Sequence, residues 1–210
     1  MVCEILLADD HLIVRQGLKV LLEREGFSVV GEASDGREAL QLAQNLRFDV
    51  AVLDLSMPLL NGIDAGRAIL QACPKAKVIL LTMHTEDHQI LGALRAGIKG
   101  YVLKSKAAEE LVQAIQEVSR GKMYLTPGVS ETVIQAYLTK TDIPSEPLSP
   151  REREFLQLIA EGQTTKEAAA VLGITVKTAE SHRTRIMQKL NIHETASLVR
   201  YAIRIGLVSP

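Results

Sequence analysis

Through the first half of the chain, apolar positions switch repeatedly between short continuous runs and helical spacing. Cys3–Ala8 reads as a strand, and Leu12–Glu25 places Leu12, Val14, Leu18, Leu21 and Leu22 at helical intervals until Gly26 stops it. Phe27–Ala33 predicts a second strand and Gly36–Asn45 a second helix. Val50-Ala51-Val52-Leu53 then runs without a polar break into Asp54, the pattern of a strand buried on both faces of a parallel sheet. After Asn61-Gly62 a helix extends to about Cys73 and ends at Pro74. Val78–Met83, His88–Ala96, Gly100–Leu103 and Ala107–Ser119 continue the alternation, closed by Gly121. Five strands alternating with five helices predict an α/β doubly wound, five-stranded parallel sheet with right-handed crossovers.

The pattern changes after Gly121. Pro127-Gly128 introduces a helical spacing over Val129–Leu138, followed by Thr139–Pro147, which is polar and twice interrupted by proline. This predicts a short connecting helix and a tether. From Leu148 onward only helical spacing remains. Ser149, Pro150 and Glu152 form a capping-box start for a helix to about Glu161, with Phe155, Leu156 and Ile159 on its buried side. Lys166–Leu172, a third helix from Thr175 or Val176 to Leu190, and Glu194–Ile205 follow. Two of them are joined by Gly173-Ile174-Thr175, so an all-α four-helix helix-turn-helix domain is expected. The expected division is 1–121, a linker over 122–147, and 148–210.

Composition adds limits. The chain has 210 residues, 47% of them hydrophobic, enough for two packed cores. No apolar run approaches the roughly 20 residues that span a bilayer, and the N-terminus has no basic, cleavable leader. The cysteines, Cys3 and Cys73, are far apart and lack metal-ligand spacing. A cytoplasmic protein with no membrane partner is expected. The formal net charge of −1 conceals an asymmetry: residues 1–121 carry 13 Lys/Arg against 16 Asp/Glu, and residues 148–210 carry 9 against 6. A basic second half is compatible with nucleic acid.

Chemistry concentrates at predicted strand ends. Asp9 and Asp10 follow the first strand, Asp54 ends the third, Thr82 the fourth, and Lys104 follows the fifth. In a doubly wound sheet the first and third strands are neighbours at the switch point, so three carboxylates meet there. Such carboxylates repel unless a cation intervenes, and oxygen ligands suit Mg²⁺. An acidic pocket with a lysine and a threonine points to phosphoryl chemistry, with Asp54 as nucleophile, Lys104 neutralising charge and Thr82 bonding a phosphoryl oxygen. Taken singly, Asp9 and Asp10 fit a helix cap, Thr82 strand filling and Lys104 a solvated charge. Their shared edge is what favours a site.

Asp9-Asp10-His11, Asp54 with Met57-Pro58 and Asn61-Gly62, Leu81-Thr82-Met83-His84, and Gly100-Tyr101-Val102-Leu103-Lys104 resemble the receiver domain of bacterial two-component response regulators, a flavodoxin-like fold. The resemblance implies Asp54 as phosphoacceptor, Asp10 as a direct Mg²⁺ ligand, Asp9 acting through water, and the Ser56 carbonyl as a further ligand. It also implies Thr82 and Tyr101 as a switch pair that repositions on phosphorylation. Lys104 is followed by Ser105, where many receivers have proline.

Residues 148–210 are similar to LuxR-type DNA-binding domains, notably in Leu148–Glu154, Lys166-Glu167-Ala168-Ala169 and Thr178 through Leu190. In the third helix Ala179, Ile186, Met187 and Leu190 leave a face bearing Lys177, Thr178, Glu180, Ser181, Arg183, Thr184, Arg185 and Lys189. Lys177, Arg183, Arg185 and Lys189 can hold phosphates, and the resemblance places base contacts at Glu180, Ser181 and Thr184. The chain departs from many relatives at Thr164-Thr165 and at Ala179-Glu180, and an acid on the reading face alters which bases are favoured.

Together the halves resemble the NarL/FixJ family. The implied partners are a sensor histidine kinase, promoter double-stranded DNA, RNA polymerase and, on activation, a second copy in a homodimer. A phosphate-ester hydrolase working through Asp54 is disfavoured because Leu55 and Ser56 follow the nucleophile and supply no second acid. A receiver whose tail binds protein instead of DNA is the other alternative, and salt-dependent DNA binding separates the two.

Overall fold

The computed structural model describes residues 2–83, 87–127 and 147–208, with Asp87 and His88 described by backbone only. The chain separates into two compact units, Met1–Asp142 and Ile143–Pro210. The predicted connecting helix Val129–Leu138, most of the tether after it, and His84 lie outside the described residues.

In the first unit β1 (Glu4–Ala8), β2 (Ser28–Ala33), β3 (Val50–Asp54), β4 (Lys77–Thr82) and β5 (Gly100–Leu103) alternate with α1 (Leu12–Arg24), α2 (Gly36–Asn45), α3 (Gly62–Ala72), α4 (Asp87–Arg95) and α5 (Ala107–Ser119). The sheet is parallel throughout and its order is β2-β1-β3-β4-β5-β6. The last strand, β6 (Tyr124–Leu125), is one more than the sequence predicts. It pairs Gly100 with Tyr124 and Tyr101 with Leu125. Thr126 completes the attachment: its N–H donates to the Tyr101 carbonyl at 3.1 Å, and its Oγ1 accepts from Leu103 N at 3.3 Å and donates to Glu110 Oε2 at 2.7 Å.

Strand alternation sorts the core into two layers. Leu6, Ala8, Ala51, Leu53 and Leu80 face one way, with Ala39, Ala65, Ile69 and Ile90 from the helices. Ile5, Leu7, Val50, Val52, Ile79 and Leu81 face the other, with Leu18, Leu22, Leu111 and Ile115. Every residue of β3 is buried, which is why its sequence shows no alternation. Each fully buried Leu, Ile or Val stabilises the unit by about 1.5–3 kcal/mol before chain entropy is set against it.

The second unit holds α6 (Pro150–Ala160), α7 (Thr165–Leu172), α8 (Val176–Leu190) and α9 (Thr195–Arg204). Ser149 and Glu152 make the predicted capping box at α6, and Thr164 with Glu167 makes a second one at α7. The turn between α7 and α8 is built by Gly173 in the left-handed region (φ 66°) and by Thr175, whose Oγ1 accepts from Thr178 N at 3.2 Å. Phe155, Leu156, Ile159, Ala168, Leu172, Ala179, Ile186, Leu198 and Ala202 are buried together.

Candidate phosphoacceptor site and recognition helix

At the carboxyl edge of the sheet, Asp9, Asp54 and Thr82 are all buried. Asp9 follows β1, Asp54 ends the adjacent β3, and Thr82 ends β4 beside it. Lys104 enters from the 3-10 turn Lys104–Lys106 after β5 and bridges two of the acids. Its Nζ lies 2.8 Å from Asp9 Oδ2 and 2.9 Å from Asp54 Oδ2. Asp9 Oδ1 accepts from His11 N at 2.9 Å. Asp10 is partly exposed and meets His11 Nδ1 at 2.8 Å, a contact not anticipated from sequence.

Burial pushes the Asp54 carboxyl above its usual range against the opposing pull of the Lys104 ammonium. For Lys104, burial pulls downward, but the hydrogen bond to Asp9 and the charge of Asp54 hold the ammonium above its ordinary value. Asp9 Oδ2 is buried and pairs with the Lys104 ammonium, and its carboxylate has further lone pairs to offer a cation. Ligand atoms of Asp9, Asp10, His11 and Asp54 all lie within 4.8 Å of one another. One lysine, paired with Asp9 and Asp54, stands against three carboxylates in the cluster, and their oxygens suit a hard divalent cation. This acidic pocket fits a metal.

The loop after Asp54 is held closely. Asn61 caps α3, its Oδ1 accepting from Ile63 N and Asp64 N at 3.0 Å, while its Nδ2 donates to Asp64 Oδ2 at 2.8 Å. Gly62 is there for close approach: a Cβ would stand 2.2 Å from the Asp54 carbonyl oxygen. Leu59 takes φ 65°, an unfavourable conformation for a branched side chain, in the same loop. Exposed Ser56 gives its backbone N–H to the Asp54 carboxylate. Tyr101 sits in the middle of β5 with its side chain in the core.

In the second unit, α8 buries Ala179 and Ile186 and half-buries His182, whose ring centroid is 6.3 Å from that of Phe155. The apolar pattern gave no sign that a histidine would fill this position. Lys177, Thr178, Glu180, Ser181, Thr184, Arg185 and Lys189 are exposed. Ser181 Oγ donates to the Lys177 carbonyl and Thr184 Oγ1 to the Glu180 carbonyl, each at 3.0 Å.

Two predicted phosphate holders have partners inside the unit. Arg183 is half-buried and donates to Thr165 Oγ1 at 3.3 Å and Thr195 Oγ1 at 2.5 Å. Lys189 Nζ donates to Glu152 Oε2 at 2.7 Å, and the same oxygen accepts from Ser149 N at 2.7 Å and Ser149 Oγ at 2.8 Å. Burial works to raise the Glu152 carboxyl, but Lys189 and the two Ser149 donors outweigh it and lower it to about 2.

A parallel doubly wound unit with an acid-and-lysine strand edge, followed by a helix-turn-helix unit, defines a receiver joined to an effector domain. Residues 5–116 match the model described as the response regulator receiver domain, and residues 146–202 the one for bacterial regulatory proteins of the luxR family. The oxygen regulatory protein NreC of Staphylococcus carnosus is 38% identical over 214 residues, covering 98% of this chain and 99% of its own. RcsB from Salmonella enterica serovar Typhimurium, bound to promoter rprA with a phosphomimetic beryllium fluoride, is 30% identical with a TM-score of 0.64. That alignment covers 96% of this chain and 98% of that one. A structure of two RcsB dimers on two parallel DNAs aligns at 31% identity and TM-score 0.59, over 96% and 98% of the chains.

The chain belongs to the NarL/FixJ family of two-component response regulators. Members of this family regulate transcription and are not multiple-turnover enzymes.

Proposed function

We propose that Asp54 accepts a phosphoryl group from a partner sensor histidine kinase and that this controls dimerisation and promoter binding by α8. The observation that carries the reading is the Lys104 bridge between Asp9 and Asp54 at the sheet edge. An Asp54 carboxylate oxygen attacks phosphorus, the P–N bond to the kinase imidazole breaks, and an acyl phosphate remains on Asp54. Mg²⁺ held by Asp9, Asp10, Asp54 and the Ser56 carbonyl would supply charge neutralisation for the transferring group. Lys104 then exchanges a carboxylate partner for a phosphoryl oxygen, and the Thr82 hydroxyl bonds another. Tyr101, one strand over in β5, is the second half of the switch. No helix among the described residues is long and apolar enough to cross a membrane. The cytoplasmic location in this reading rests on the receiver and luxR-type domains and on the promoter DNA such a regulator has to reach.

On DNA, exposed Lys177 and Arg185 meet phosphates directly, and Thr178 lies beside them at the start of α8. Arg183 and Lys189 would reach phosphates only by sharing or leaving their present partners. Ser181 and Thr184 spend their hydroxyl protons on helix carbonyls, so together with Glu180 they present acceptors. An acceptor face matches the exocyclic amino donors of cytosine or adenine in the major groove. Two copies would read half-sites about one helical turn apart and present a surface to RNA polymerase.

The test is labelling with acetyl phosphate and Mg²⁺, followed by mass and DNA-affinity measurement. The wild type gains one acid-stable, hydroxylamine-labile phosphoryl group, shifts towards dimer and binds DNA more tightly. Asp54→Asn does none of these. Equal labelling of Asp54→Asn would remove Asp54 from the role.

A further inference from the structure

The exposed face of α8 begins on an apolar residue. Val176 is 42% exposed, and among the described residues of the second unit it is the one exposed large hydrophobic side chain. Core packing does not require it: α8 turns Ala179 and Ile186 inward, and its start is fixed by Thr175, whose Oγ1 accepts from Thr178 N. Nor does helix stability, since the positive end of a helix favours an acid and valine is a weaker helix former than alanine. At 3.6 residues per turn Val176 lies about 40° round the helix from Glu180 and about 80° from Thr184, on the same side. Lys177 beside it is exposed, and the first turn of α8 holds no acid that would repel a phosphate backbone.

We propose that Val176 is a specificity-determining residue that meets the 5-methyl group of a thymine in the major groove. This rests on the reading of α8 as the recognition helix given above. Of the four bases only thymine carries a methyl group on that edge, and an apolar side chain is what meets it. Glu180 and Ser181 offer oxygens, which take amino donors and give nothing to a methyl group. Val176 supplies the apolar contact. Its β-branch leaves one strongly preferred rotamer in a helix, so its two methyl groups are held in place before DNA arrives and little entropy is lost on contact. The rise of about 6 Å from Val176 to Glu180 corresponds to about two base steps of roughly 3.4 Å. The thymine therefore belongs one or two pairs from the base pair that Glu180 reads. A site read in this way sets a methyl group at a fixed spacing from an amino donor, information that phosphate contacts do not carry.

The full chain, treated with acetyl phosphate and Mg²⁺, is first used to select a preferred duplex from a random library. Each thymine of that duplex is then replaced in turn by deoxyuridine, which removes the methyl group and keeps every hydrogen-bonding group. At one thymine per half-site wild-type affinity should fall about fourfold, and about 15-fold when both half-sites are changed, the effect of one buried methyl group in each. Val176→Ala, a change to the best helix former, should bind the thymine and uracil duplexes alike, and Val176→Ile should restore the difference. Equal binding of both duplexes by wild type at every position would overturn the contact and leave α8 as the recognition helix. So would the same thymine-to-uracil ratio in wild type and Val176→Ala, or a sensitive thymine more than about three pairs from the position that Glu180→Ala relaxes. A library that yields no preferred sequence would overturn the contact and the reading of α8 together.

Discussion

Replacing Lys189 with methionine separates two roles that look alike in sequence: phosphate holder and brace for the recognition helix. Lys189 donates to Glu152, which is buried and also engaged by Ser149, so the pair ties the C-terminal part of α8 to the start of α6. Removing one member of a fully buried ion pair costs about 3–5 kcal/mol. Here the lysine side chain is 43% exposed and Glu152 keeps its Ser149 donors, so the expected loss is smaller, about 1–2 kcal/mol. Hydrogen exchange of the full chain should report it. Amides in 176–190 should exchange roughly tenfold faster while those of β1, β3 and β4 are unchanged. DNA affinity should fall uniformly across sites with an unaltered salt dependence, because no counterion-releasing contact is lost. Arg185→Ala, by contrast, should reduce the salt slope by about 1. Unchanged exchange together with a flattened salt slope in Lys189→Met would refute the brace. The same pair sets an acid limit. The Glu152 carboxyl lies near 2 in the folded protein against an ordinary 4.5, so its contribution is complete above about pH 4.5 and is lost as pH falls towards 2.

Glu180→Ala should relax base preference at one position by about 1–3 kcal/mol, read by site selection with both proteins; an identical preference removes Glu180 from the reading face. Gly62→Ala should lower stability by several kcal/mol, on the order expected for severe overpacking, and slow acetyl-phosphate labelling, because the new Cβ collides with the Asp54 carbonyl; a normal melting temperature would contradict this. Asp54→Asn should melt higher than wild type at pH 7 without Mg²⁺. Burial raises the Asp54 carboxyl, so its neutral form is favoured below the unfolded value of 3.8 and that advantage is gone once pH passes the raised one. A lower melting temperature would show that the Lys104 contact outweighs the burial cost.

Most of the frame was legible because burial imposes it on residue order. Val50–Asp54 is buried along its whole length, and an unbroken apolar run is what such a strand requires. The gathering of Asp9, Asp54, Thr82 and Lys104 followed from topology, since strand ends in a parallel sheet share one edge. The Arg183 and Lys189 attachments were hidden for a different reason. Helical spacing tells which side of α8 a residue leaves from, but a long basic side chain then reaches about 6 Å or more in a direction set by its partners. Glu152, Thr165 and Thr195 lie on three other segments, and nothing in α8 itself announces them.

Strand β6 was illegible for a third reason, and it bears on how the molecule works. Two residues, Tyr124 and Leu125, carry no periodicity, so the strand exists because the edge of β5 offers unpaired backbone groups. Tyr124 OH and Thr126 Oγ1 both donate to Glu110 Oε2 on α5, at 3.2 and 2.7 Å, which holds the short segment against the edge. Its partners on β5 are Gly100 and Tyr101, and Thr126 adds a bond to Leu103, the residue before Lys104. The segment that leads out of the receiver is therefore bonded residue by residue to the strand carrying Tyr101 and ending at Lys104. Any movement of Lys104 towards a phosphoryl group that shifts the backbone of Leu103 must be followed or resisted by Thr126. Coupling from Asp54 to the chain beyond the sheet then needs no long relay. It needs one strand, β5, whose two ends are claimed by the proposed phosphorylation site and by β6.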